Sequence, residues 1–594
     1  MIRDQRPAFV NYARPAFAAA FWVAAVLLAL LGTARPAPAA DAEPPGLAAL
    51  LDPVFAEIHR TDSAGCSLGV YRHGELAYAK GYGMADLERG IPLSPGSVFD
   101  IGSTSKQFTA ASLVLLAQQG KLALDDDIRE HLPELPDYGR LITIRHLLHH
   151  TSGLRDYIEL LLMVGEDIDD VTSGEEALRM LARQRGLNFA PGEEHLYSNS
   201  GYFLASLIVE RASGMSLRKF ARQHLFAPLG MEHTTFIDDH TEIIPGRAIG
   251  YSPGEDGELH RDVSYWEQNG DGAVFTTVED LLQWDRNFYE PRVGGEGLVR
   301  ELLGRGTLSS GETLDYALGL VHGEHRGRAI VSHGGSWGGY RAQLLRVPAE
   351  RLSVAVLCNL GTASPTGYAK RVVDLILEGA AATPAGDDPG TAARNERETR
   401  VASADLARLP GHYRDPESAS YGRILREGDR LYYLEAGEEE RHALRSLGDG
   451  RFQVLEVSGD LVFEAVLAEP GDPGRPFRLR LLYDGEPEGF LERYEPWEPS
   501  AAELARHAGR YFSPELETAY ELAVEDGRLL AGHRKHGTIT LTPREEGAFA
   551  GDQRVLARVT FEPEDGDRSR AMLVSVGRIR DLRFERQGGG GESE

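Results

Sequence analysis

In "FDIGSTSKQFTAASLVLL" (99–116), Ser103 and Lys106 stand three residues apart, in a chain with only six lysines among 594 residues. A serine attacks a carbonyl carbon only when something takes its proton. A lysine three positions further along a helix shares the serine's face and lies within reach of its hydroxyl. The spacing therefore offers a nucleophile, Ser103, and its activator, Lys106. The same four-residue pattern recurs at Ser216 to Lys219, where a helix-capping serine and a surface lysine account for it. The pattern needs company: a base, and donors for an oxyanion.

"YSN" places Tyr197 two residues before Asn199 and is the only Tyr-x-Asn among seven asparagines. A phenol near an ammonium is suited to take the serine's proton and to return it to the leaving group, and Asn199 could bond a substrate amide. The same residues also read as a packed tyrosine ahead of a helix cap. Further on, "SHGGSWGGYRA" follows an apolar strand and carries His333, Gly335 and Ser336. Paired glycines let a substrate backbone lie close to the strand, and the Ser336 N–H can face a developing oxyanion together with that of Ser103. His325-x-Gly327 and His507-x-Gly509 repeat the dipeptide spacing in segments that read as a loop and a domain start.

These residues need a frame. "CSLGVYR" and "ELAYAKGYG" flank His73-Gly74 and predict a hairpin over 66–83; helical periodicity follows at 105–120, 143–150, 200–214 and 277–290. Strands return in "RAIVSHGG", "YRAQLLRVP" and "LSVAVLCNL", and a helix ends near Gly379. Strands from both ends of the segment bracketing a helical middle predict one antiparallel sheet flanked by helices, an α/β domain over 41–379. Residues 380–403, rich in Ala, Pro, Gly and charge, read as a linker.

Beyond the linker the chain repeats. "DLARLPGHY" (405–413) recurs as "ELARHAGRY" (503–511), Arg430-Leu431 as Arg528-Leu529, and Gly450-x-Phe452 as Gly547-x-Phe549, at offsets of 97 or 98. Each copy alternates apolar and polar residues between Asp-Gly and Gly-Asp turns, which predicts two small antiparallel β-barrels, 404–498 and 499–587. The tail, 588–594, is expected to be disordered.

In this order, Ser103-x-x-Lys106, Tyr197-x-Asn199 and His333-x-Gly335 resemble the three motifs of the penicillin-recognising serine hydrolases. The likeness is to the branch containing class C β-lactamases, D-alanyl-D-alanine carboxypeptidases, D-aminopeptidases and related esterases. "LLHHTSGL" (147–154), "PLGM" (228–231) and "DGAVFTTVEDLLQW" (271–284) are similar to that branch as well, so the resemblance covers about 45–379. It implies a β-lactamase/transpeptidase-like fold and an acyl-enzyme route on a small amide or ester. Ser103, Lys106, Tyr197 and His333 would be catalytic, with Asn199, Gly335 and Ser336 binding substrate, and no cofactor or metal is implied. The repeats resemble the lipocalin-like barrels that follow the catalytic domain in D-aminopeptidases. The chain departs from class C β-lactamases at His333, where those enzymes carry lysine; a neutral imidazole grips a β-lactam carboxylate less firmly than an ammonium. Weak β-lactamase activity and a non-catalytic protein binding peptidoglycan fragments are the alternative readings.

Arg3, Arg6 and Arg14 precede the apolar run 16–31, and "ARPAPAA" supplies small residues at Ala37 and Ala39, so residues 1–40 read as a cleaved secretory signal peptide. The mature chain is then expected in the periplasm or outside the cell, with no membrane span. Removing four arginines and one aspartate leaves 59 basic against 90 acidic residues, a formal charge of −31 that argues against nucleic-acid partners and serves solubility; the small-molecule or short-peptide substrate is what the resemblance implies. Cys66 and Cys358 fall in predicted strands and stand either as a disulfide or as two buried thiols. His146, His149 and His150 lack a carboxylate partner and do not read as a metal site.

Overall fold

The computed structural model describes residues 46–594 except 255, 379–407, 417–419, 436–440, 449, 456–460, 467–477, 484–485, 564–567 and 589–594. The expected signal peptide, the linker and almost all of the tail lie outside the described residues.

Six strands build the main sheet: β1 (Cys66–Arg72), β2 (Glu75–Tyr82), β3 (Val321–His325), β4 (Arg328–Trp337), β5 (Tyr340–Val347) and β6 (Leu352–Cys358). Their order is β3-β4-β5-β6-β1-β2, and every pair is antiparallel. β1 and β2 turn at His73 and Gly74, both with positive φ, as the tight twisted hairpin turn demands. β1 and β6 read as almost unbroken apolar runs because both faces of these central strands are covered. The chain leaves the sheet after β2 and returns at β3, so the whole helical middle is inserted between two halves of one sheet.

That middle is organised around α1 (Lys106–Gln118), buried from Lys106 to Leu116. Its polar residues are satisfied internally: Thr109 Oγ1 donates to Gly270 O at 2.7 Å and Ser112 Oγ to Phe108 O at 2.8 Å. Around it stand α2 (Ile144–Leu148), α3 (Tyr157–Met163), α4 (Asn199–Ser213) and α5 (Val278–Tyr289), while α6 (Pro365–Glu378) covers β5 and β6. The second Ser-x-x-Lys is a helix cap, Ser216 Oγ accepting from Lys219 N.

Residues 411–494 and 509–586 form two closed antiparallel barrels of eight strands each. The repeat seen in the sequence has a shared structural device. Tyr413 donates its hydroxyl to Leu409 O at 2.6 Å, and Tyr511 to His507 O at 3.0 Å, each pinning the chain just before the first strand. The first barrel has its own apolar core, whereas that of the second is continuous with the α/β domain's. A row of ion pairs ties the second barrel to the 155–194 region: Arg155 with Glu515, Glu159 with Arg554, Glu166 with Lys535 at 2.8 Å and Glu194 with Arg580 at 2.7 Å.

Cys66 and Cys358, left open by the sequence, face each other across β1 and β6 with Cα atoms 3.9 Å apart and form a disulfide. It joins the two halves of the sheet across 292 residues of sequence. The oxidised protein is therefore expected to take up no alkylating reagent after denaturation without reductant. Replacing both cysteines by alanine is expected to lower the unfolding free energy by about 2–4 kcal/mol in equilibrium denaturation.

Candidate active site

Ser103 lies in a short 3₁₀ turn, Gly102–Ser105, that runs directly into α1. The turn is set by Asp100, whose carboxylate accepts the Gly102 N–H at 2.8 Å, and by Gly102 itself, whose φ of 47° suits glycine. Asp100 in turn belongs to a short strand paired with Val274–Thr276. One helical turn on, Lys106 is 0% exposed, and its Nζ donates to Ser103 Oγ (3.1 Å), Asn199 Oδ1 (2.9 Å) and Asp271 O (2.6 Å). Three acceptors match the three hydrogens of an ammonium. The lysine thus holds the Ser103 hydroxyl oxygen at a fixed place.

Tyr197 and Asn199 arrive at the N-terminus of α4. Asp156 accepts the Asn199 N–H at 2.7 Å, and His150 Nδ1 accepts that of Ser198 at 3.1 Å. The Tyr197 ring packs against His150, centroids 4.1 Å apart, and lies 4.8 Å from Lys106 Nζ. Its buried hydroxyl has no hydrogen-bond partner among the described residues. Tyr197 and Ser103 line the same cleft, and both are linked to Lys106, the serine by a hydrogen bond and the tyrosine through its ring. Asn199, expected to face substrate, spends its Oδ1 on Lys106 instead.

His333 sits in the middle of β4, not at a strand end. Its Nδ1–H donates to Gly334 O at 2.6 Å, so its Nε2 accepts from the Tyr316 hydroxyl at 3.0 Å. Burial lowers its pKa to about 4, and the nearby Lys106 charge acts in the same direction against the Gly334 carbonyl. The ring is a neutral part of the wall with both nitrogens engaged. Beyond it, β4 closes tightly on the nucleophile turn. A methyl group at Gly335 would stand 1.9 Å from Ile101 O and 3.1 Å from Ser103 N, and one at Gly102 would stand 2.8 Å from Ser336 N. Glycine at both positions lets the Ser103 and Ser336 amides approach as an oxyanion site requires.

Ser103, Tyr197, Asn199, His333, Gly335 and Ser336 line one cleft of about 1410 Å³, with Lys106 beneath its floor. Trp337 also lines it, edge-on to Trp266 at 5.6 Å between centroids. The other His-x-Gly histidines lie elsewhere: His325 bonds Asp374 at 2.7 Å, and His507 bonds Ser569 at 2.7 Å in the second barrel. His146 and His149 bond the local backbone.

Sequence reasoning missed several residues that line the cleft or support its wall from behind. Asp271 was visible only as the first letter of a family-like stretch, yet it is 7% exposed, accepts from Tyr157 at 3.1 Å through Oδ2 and keeps a buried, unpartnered Oδ1. Tyr316, Asp156 and Arg578 gave no signal at all. Burial pushes the carboxyls of Asp100 and Asp271 up to about 6, against the Gly102 N–H and Arg247 at Asp100 and against Lys106 at Asp271. For a carboxyl whose folded pKa is raised, the stabilising contribution is fully present below the unfolded value near 4 and is lost as pH rises through 6. His333 runs the other way, withdrawing stability as pH falls from about 6.5 to about 4. Asp271→Asn is expected to stabilise the protein by about 1–3 kcal/mol at pH 8 and by almost nothing at pH 4, as read from unfolding midpoints across that range.

Residues 50–378 match the family model Beta-lactamase. A D-aminopeptidase from Gluconobacter oxydans is 32% identical over 313 residues, 52% of this chain and 58% of that protein, less than two thirds of its length. Penicillin-binding protein 4* from Bacillus subtilis is 30% identical over 408 residues, 66% of this chain and 88% of that one. Among solved structures, an octameric penicillin-binding protein homologue from Pyrococcus abyssi shares the fold with a TM-score of 0.52 at 24% identity, covering 75% of this chain and 98% of its own. A match over more than half the chain, in a domain whose Ser103 and Tyr197 line one cleft with Lys106 bonded to Ser103 beneath it, makes this protein a member of the β-lactamase family, a serine hydrolase.

Proposed function

We propose that the protein is an exported hydrolase that cleaves small amides or esters, D-amino-acid derivatives among them, through an acyl-enzyme on Ser103. The observation that carries this reading is the contact between Lys106 Nζ and Ser103 Oγ, 3.1 Å, on the floor of a cleft open to substrate. Ser103 Oγ attacks the carbonyl carbon. Its proton passes to the Tyr197 oxygen as the Tyr197 hydroxyl passes its own proton to the leaving group, a relay assisted by the Lys106 charge. The Ser103 and Ser336 amides receive the oxyanion, and water attacks the acyl-enzyme by the reverse relay to release the acid. His333, with both nitrogens engaged, holds Gly334 and so the adjoining oxyanion strand; lacking charge, it gives a β-lactam carboxylate little to bind, which supports weak rather than efficient β-lactam turnover. The D-aminopeptidase relative supports an amide with a D-residue. The arginine-led apolar N-terminus supports export to the periplasm or beyond.

Intact-mass analysis after exposure to a fluorophosphonate is expected to show one adduct on the mature protein and none on Ser103→Ala, with matching circular dichroism. Tyr197→Phe is expected to lower turnover of a D-amino-acid amide or ester by about 10²–10⁴-fold. An adduct that persists in Ser103→Ala would overturn the assignment.

A further inference from the structure

The cleft is not made by the catalytic domain alone. The last two strands of the second barrel, Ser569–Val576 and Ile579–Arg586, are joined by Gly577 and Arg578, and this turn enters the site. Catalytic-domain groups hold it there. Asn188 donates from Nδ2 to Arg578 O and accepts at Oδ1 from Arg580 N, both at 2.9 Å, while Arg580 pairs with Glu194. At Gly577 (φ 51°, a left-handed conformation that suits glycine) a methyl group would stand 2.4 Å from Glu159 Oε1, so glycine lets the turn and the Glu159 carboxylate share this space.

Arg578 lies over the Tyr197 ring, its guanidinium carbon 4.7 Å from the centroid. Its countercharge is the buried Asp156, with Oδ2 at 3.5 Å. That carboxylate also accepts the Ile158 N–H at 3.0 Å and the Asn199 N–H at 2.7 Å; it engages one edge of the guanidinium, whose five N–H groups leave donors for a second acceptor. The neighbouring acid, Glu159, is paired with Arg554. The Arg578 side chain keeps 38% exposure within the cleft. A guanidinium that uses its face on an aromatic ring retains its in-plane N–H groups, and that fork matches a carboxylate bidentately.

Resting on the acyl-enzyme reading above, we propose that Arg578, delivered by the second barrel, is a carboxylate-binding subsite of the cleft. The enzyme then selects substrates that carry a carboxylate near the scissile bond and discriminates against a free amine at that place. The carboxylate could belong to the acyl portion or to the leaving group, and the two are separable by experiment.

The test uses the mature full-length protein and the rate of fluorophosphonate labelling of Ser103. Protection is measured with N-succinyl-D-phenylalanine amide for the acyl side and N-acetyl-D-alanyl-glycine for the leaving side, each against its own methyl ester, with D-phenylalanine amide as the free-amine competitor. In one arm the free acid is expected to halve labelling at a concentration at least about tenfold lower than its methyl ester. That ratio is expected to fall to near one in Arg578→Ala and to an intermediate value in Arg578→Lys, which keeps the charge without the fork. Ratios below about twofold in both arms of the wild type overturn the subsite, and so does a ratio that survives in Arg578→Ala with native near-ultraviolet circular dichroism or protection strongest by the amine. Should Arg578→Ala not fold, the wild-type ratios and Arg578→Lys still decide. Absence of Ser103 labelling in the wild type would instead remove the acyl-enzyme reading, a separate result.

Discussion

An ammonium taken out of water is tolerated only when each of its hydrogens finds an acceptor. Lys106 meets that condition through Ser103, Asn199 and the Asp271 carbonyl, three points contributed by the turn that leads into α1, the start of α4 and the approach to α5. Those three segments are brought together by burying α1 on all sides, so the same packing that forms the helical core also fixes the serine. Loss of any one acceptor would leave a buried donor unsatisfied. The catalytic geometry and the stability of the helical middle are therefore one arrangement, and the raised carboxyl of Asp271 beside the lysine is a destabilising feature held in place by that packing.

Around this centre the site is closed by backbone and by borrowed parts. β4 approaches the nucleophile turn so closely that only glycine fits at 102 and 335, which is what brings two amides to one place. The sheet that carries β4 is assembled from both ends of the domain and locked by Cys66–Cys358. The far wall comes from the second barrel, whose core is continuous with that of the catalytic domain and whose ion pairs to residues 155–194 keep the Arg578 turn in register with Tyr197. A barrel anchored in this way forms part of the cleft's wall.

Much of the frame was legible beforehand. The hairpin at 66–83, α1, α4, α5 and strands β4 to β6 follow apolar periodicity, because those segments bury one face or both in a continuous core. The two barrels were legible through repetition, since the same inward residues recur once per copy; Tyr413 and Tyr511 show why the repeat was kept in step. Less visible were short elements such as α3 and β3, which have too few residues to display a period.

By its residue order alone the chain determined which serine, lysine, tyrosine and glycines could act together, because Ser103 and Lys106 are neighbours on one helical turn and their spacing is local chemistry. It also determined the fold class, through alternation and repetition. Only the tertiary structure decided how those groups are charged and bonded. The neutral, fully engaged His333, the lysine-bound Asn199, the unpartnered Tyr197 hydroxyl and the raised Asp271 all depend on burial and on partners remote in sequence. Arg578 reaches Tyr197 across 381 positions, a distance no local pattern encodes; folding of the second barrel onto the catalytic domain brings the two together.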